Sequence, residues 1–139
     1  MRQVIDVFQK QKARDDEIRA WCIVARAMLA QDKAADASDA IKHARSLAGK
    51  SQNPEVRWRT AIASARLYAA GKDELNAIVA KSRELGYRGI ELDARLALAE
   101  IEMKDGQTAA GRAHLAAIES DAEAKGYHLV ARKAARVHG

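Results

Sequence analysis

Ile90-Glu91-Leu92-Asp93-Ala94-Arg95-Leu96-Ala97-Leu98-Ala99-Glu100-Ile101-Glu102-Met103-Lys104-Asp105-Gly106 decides the fold of this chain. Wound as a helix, the stretch carries apolar side chains nearly all the way round, at Ile90, Leu92, Ala94, Leu96, Leu98, Ala99, Ile101 and Met103. Such a helix is buried on more than one side, so other helices must surround it. Gly106 marks its end, because glycine enters the left-handed conformation that closes helices. The small residue at Leu98-Ala99 stands seven positions before Gly106, as Ser64 does before Gly71 and Ala25 before Asp32. Gly71 and Gly106 are 35 residues apart. The recurrence predicts a row of helix pairs.

Composition agrees. The 139 residues suffice for one domain with a sizeable core. They include 31 alanines but one proline and one phenylalanine, and aromatic content is 4%. Alanine is the best helix former and lets helices approach closely, which predicts an all-α fold of tightly stacked helices. The single cysteine, Cys22, lies beside Trp21, Ile23 and Val24 and reads as a small buried apolar residue. No secretory apolar segment and no run of ~18 uncharged apolar residues is present, so a cytoplasmic protein without membrane association is expected. The net charge of +5 belongs to the ends. Arg2, Lys10, Lys12 and Arg14 against Asp6 give +3, while Lys125, Arg132, Lys133 and Arg136 give +4. The remaining body is therefore −2. Basic ends without interleaved aromatics read as solvated helix termini, which weighs against a nucleic-acid partner.

Along the chain, Val4, Ile5 and Phe8 predict a leading helix over 1–14, and Asp15 or Asp16 a cap for the next helix, 17–30. A second helix follows over 37–48, with Ile41, Ala44 and Leu47 inward. Asn53-Pro54 predicts a helix start, proline at the first position lacking only an N–H that would go unused. That helix ends at Gly71; the next, 73–85, turns Leu75, Ile78, Val79 and either Ser82 or Leu85 inward. Helices over 90–104 and 108–125 come next, then Gly126-Tyr127, which repeats Gly86-Tyr87 40 residues on, and a terminal amphipathic helix.

These residues resemble the tetratricopeptide-repeat family, whose period is ~34 residues. Trp21, Val24-Ala25 and Met28 are similar to that family's large-residue, Leu-Gly and Tyr positions. Leu98-Ala99, Gly106, Gly111 and Leu115 match its Leu-Gly pair, turn glycine, small second-helix residue and following large residue, and Ala63-Ser64, Leu67 and Gly71 match more weakly. Glu102 stands where the family has tyrosine, and the step from Asp32 to Gly71 is 39 residues. The resemblance implies an α-α superhelix of about three repeats (17–51, 53–86 and 88–127) within one domain spanning 1–139, closed by a capping helix over 128–139. The tail also looks like the C-terminal repeat region of bacterial multidomain signalling proteins, which would make the chain part of something longer.

The family's inner groove, carried over residue by residue, falls on Arg19, Cys22 and Arg26, then Trp58, Ala61 and Ala65, then Asp93, Leu96 and Glu100. Arginine, tryptophan and acids in one groove suit a peptide or protein partner; the alternative is that Trp58 packs and the charges are solvated. Asp93 and Glu100 would repel the C-terminal carboxylate that some family members bind. His43, His114, His128 and His138 have no metal-ligand spacing, no phosphate-binding glycine loop is present, and no nucleophilic triad can be assembled. The expectation is a non-catalytic interaction scaffold without cofactor or metal. Self-association through Val4, Ile5 and Phe8 or the terminal helix is the alternative, ahead of nucleic-acid binding by the basic ends.

Overall fold

The computed structural model describes residues 2–138, apart from the side chains of Arg2, Phe8 and His138. The described residues are all-helical: α1 (Arg2–Ala30), α2 (Ala34–Ala48), α3 (Pro54–Tyr68), α4 (Lys72–Leu85), α5 (Arg88–Lys104), α6 (Thr108–Ala124) and α7 (His128–His138). Met1 and Gly139, the outer limits of the expected leading and capping helices, lie outside the described residues. The helices fall into two compact units, one ending at Leu67 and the other beginning at Tyr68.

In the first unit the expected break before residue 17 is absent, and α1 runs unbroken for 29 residues. Residues 9–14 are Gln, Lys, Gln, Lys, Ala and Arg, all good helix formers, so nothing there stops the helix. The two aspartates serve side-chain partners instead of capping. Buried Asp15 accepts from Ser51 Oγ at 2.7 Å and Asn53 Nδ2 at 3.2 Å, and Asp16 accepts from Arg19 at 2.8 Å. Asn53 does cap α3, its Oδ1 accepting from the Glu55 amide at 3.0 Å. Ile18, Ala44, Ala48 and Val56 form one core cluster of the three helices, and Ala25, Ala40 and Ile41 a second, with Trp21 packed against both. Beyond these clusters the first turns of α1 carry Val4, Ile5 and Val7 exposed at 56%, 49% and 61%.

Gly71 does not close α3. The helix ends at Tyr68, Ala69 takes the left-handed conformation (φ 48°), and Gly71 (φ 89°) sits at the N-cap of α4. In the second unit, Gly86, Gly106 and Gly126 share φ 81° and lie 20 residues apart. After each, the next amide reaches back to a carbonyl of the finished helix: Tyr87 to Ser82 at 2.8 Å, Gln107 to Glu102 at 2.9 Å, Tyr127 to Ala122 at 2.8 Å. This is the glycine-closed helix end that satisfies otherwise orphaned carbonyls.

End-to-end ion pairs give the helix directions. Lys72 at the start of α4 meets Asp105, just past the end of α5, at 2.8 Å, while Arg83 near the end of α4 meets Glu91 near the start of α5. Between α5 and α6, mid-helix Arg95 pairs with Asp121 near the end of α6 at 2.8 Å, and Glu102 near the end of α5 shares a hydrogen bond with His114 at 2.7 Å. α4 and α6 are therefore both antiparallel to α5. Leu92, Leu96 and Ala99 of α5 are buried with Leu115, Ile118 and Ala122 of α6 and Ala131 and Ala134 of α7. In α4 the inward residue of the pair left open is Ser82; Leu85 is half exposed.

Gly111 marks a close approach of α6 to α5. A Cβ there would stand 2.8 Å from Met103 Sδ and 3.4 Å from the Ala99 carbonyl. Gly111→Ala should stay within about 1 kcal/mol of the parent, since its helix-propensity gain offsets the displacement of a flexible methionine. Gly111→Val should cost about 1–3 kcal/mol by forcing α5 and α6 apart. Urea denaturation checks both, and a Val variant as stable as the parent would refute the close approach. Ala69→Gly should stabilise the protein by roughly 0.5–1 kcal/mol, because relief of the left-handed alanine outweighs the added freedom of the unfolded chain. A lower midpoint for this variant would contradict that backbone assignment.

Candidate functional site

In the second unit α5 packs against both α4 and α6, and a cavity of about 190 Å³ lies among the three. α4 lines it with Asn76, Val79 and Arg83, α5 with Arg95, Leu98 and Glu102, and α6 with His114 and Ile118. Steps of three and four place each set on one helix stripe. The antiparallel order then brings Arg83 and Arg95 to one end, Asn76, Glu102 and His114 to the other, and Val79, Leu98 and Ile118 between them.

Each charge is oriented by a neighbour. Arg83 Nε donates to Glu91 Oε1, and Arg88 lies 3.5 Å from Glu91 Oε2. The Glu91 side chain is only 2% exposed, and its Oε2 has no hydrogen-bond partner. Arg95 Nη1 donates to Asp121 Oδ2, and this bond holds the Asp121 carboxyl below its ordinary range, helped by the charges of Arg95, Lys125 and Arg83. At the other end exposed His114 meets the largely covered Glu102 carboxylate through Nδ1. These bonds use one guanidinium nitrogen of each arginine, and a guanidinium carries five N–H donors.

The groove residues expected from the repeat pattern lie elsewhere. Arg19, Arg26 and Trp58 belong to the first unit, and Asp93, Leu96 and Glu100 to the second. Leu96 is fully buried in the core with Leu115 and Ile118 and packs the unit together. Asp93 and Glu100 are half-buried and share its stripe, roughly 200° around α5 from Arg95, Leu98 and Glu102. Arg26 is exposed and Trp58 half-buried, and both are already engaged within the protein, as are Asp93 and Glu100. Arg19 is committed to Glu55, reaching its two oxygens at 3.3 and 3.0 Å. Arg59 donates to the same carboxylate at 2.8 Å. The Arg19 hydrogen bond is the main reason the Glu55 carboxyl sits below its ordinary range.

Cys22 is half-buried with Sγ 3.7 Å from Thr60 Oγ1, and burial pushes its thiol up. His43 stacks on Trp21 at 4.5 Å between ring centroids. Among the described residues no group of three or more His, Cys, Asp or Glu side chains is placed to hold a metal, and no helix is long and apolar enough to cross a membrane. No protein-family model, curated protein or solved structure matches this chain.

Removing one partner of a buried ion pair leaves the other charge uncompensated, whereas removing both does not. Arg83→Met should therefore destabilise by about 1–3 kcal/mol, the exposed arginine keeping the figure below that of a fully buried pair. Arg83→Met/Glu91→Met should recover much of the loss in chemical denaturation. A double variant no more stable than Arg83→Met would show that Glu91 does not depend on this partner. Glu55 binds its proton less readily when folded than when unfolded. Its contribution is thus complete above the ordinary value of 4.5 and fades as pH falls through the lower folded value. Stability below pH 4.5 should fall less steeply in Arg19→Met than in the parent; equal slopes would exclude this pair as an acid-sensitive link.

Proposed function

We propose that this chain is a non-catalytic scaffold that binds a protein or peptide segment. The cavity over α5 carries the reading: it is accessible, apolar in the middle and charged at both ends, and it is built on rigid helices. Its size also supports a side-chain guest, since about 190 Å³ is below the roughly 300–1,000 Å³ of sites that enclose whole small molecules. The resemblance to tetratricopeptide repeats agrees with this, as does the packing of α5 against both α6 and α7, the neighbour pattern of stacked helix pairs. The superhelix of about three such repeats is the architecture that goes with the proposal. Its α5–α6 pair, stepping 40 residues from Gly86 to Gly126, is longer than the ~34 residues of that family. Random peptides displayed on phage and selected against the full chain should converge on shared sequences that bind when synthesised. Failure to enrich any such sequence would count against a peptide-binding scaffold.

Self-association is the second reading, favoured by the exposed Val4, Ile5 and Val7 on an α1 end that projects past its core clusters. Light scattering over a range of protein concentrations should then show a dimer that Ile5→Asp abolishes. A parent mass that stays monomeric throughout would remove this reading.

A further inference from the structure

We propose that the α4–α5–α6 cavity is a docking site for an acidic protein segment. One large apolar side chain of that segment enters between Val79, Leu98 and Ile118, and a neighbouring carboxylate lies between Arg83 and Arg95. The inference rests on the scaffold reading and names the surface and the chemistry of its guest.

Volume sets the size of the anchor. A cavity of about 150 Å³ lined by aliphatic and aromatic side chains is large enough to hold benzene, so 190 Å³ admits one aromatic ring or large aliphatic group. Charge sets its orientation. Both arginines lining the cavity stand at one end, Arg83 from the last turns of α4 and Arg95 from the middle of α5, while Glu102 stands at the opposite end. Arg83 spends Nε on Glu91 and Arg95 spends Nη1 on Asp121, which leaves their other N–H groups as donors for a guest carboxylate. A cationic group at that end would meet two guanidinium groups. The same anchor-plus-acid chemistry therefore selects against basic peptides.

3-Phenylpropionate reproduces the ring and the carboxylate, 3-phenylpropylamine reverses the charge, and 3-phenylpropanol removes it. Methyl-resolved NMR titration of the full chain with each compound reads both place and affinity. Expected are shifts centred on the methyls of Val79, Leu98 and Ile118, with propionate binding tighter than propanol and amine weakest. Leu98→Lys, checked for folding by circular dichroism, should weaken propionate binding about tenfold or more. Arg95→Gln should lower the ratio of propionate to propanol affinity, a change in ratio that a general loosening of the fold would not give. Shifts centred elsewhere, a preference for the amine, or an unchanged preference in Arg95→Gln would overturn the proposal. Synthetic versions of the phage-selected peptides should displace propionate. Peptides that bind without displacing it would overturn this site while leaving the scaffold reading intact. The absence of any selected peptide would overturn both.

Discussion

The second unit depends on one backbone constraint, a glycine in the left-handed conformation at the end of each of three successive helices. Gly86, Gly106 and Gly126 share φ 81° and recur every 20 residues. An L-residue pays a steric cost in that conformation and glycine does not. Each glycine lets the following amide return to the finished helix and sends the chain back along it. Equal spacing makes α5 and α6 equal at 17 residues, so their ends coincide. The pairing of Arg95 with Asp121 and of Glu102 with His114 follows from that coincidence.

Lateral packing then fixes how the three helices share their faces. Gly111 brings α6 close to the Ala99–Met103 turn of α5, while Leu92 and Leu96 are sealed against α6 and α7. The stripe of α5 holding Arg95, Leu98 and Glu102 remains between α4 and α6 and lines the cavity. Burial and charge are linked here. Glu91 is a covered carboxylate whose desolvation is offset by Arg83 and Arg88, and that interaction also sets Arg83 at the mouth of the cavity.

The first unit is organised by polar bonds as much as by its apolar clusters. Asp15 binds Ser51 and Asn53, and Asn53 caps α3, so one carboxylate joins the middle of α1 to the start of α3. Glu55, in the first turn of α3, receives Arg19 from α1. Acids before an apolar stripe are the usual local signal for a helix cap, and Asp15 and Asp16 fit it. A bond between residues 36 or 38 positions apart leaves no local signal, so the sequence alone predicts two helices where α1 is one.

Most helix limits are legible in the sequence, because turn glycines, Asn53-Pro54 and apolar periodicity are local properties of the chain. The near-continuous apolar surface of residues 90–104 likewise announced a helix covered on several sides. The cavity was only half legible. The steps of three and four at 76/79/83 and 95/98/102 were present in the sequence, but many stripes of that kind exist on a helix with apolar residues all round. Leu96 and Leu98 are chemically alike, and nothing local distinguishes the one that seals a core from the one that lines a cavity. Amino-acid order determined where helices start, stop and turn, since those events are governed by single residues and their backbone conformations. Tertiary structure decided which face of α5 stays accessible and which charges meet across it, because these depend on distances between segments that sequence proximity does not encode.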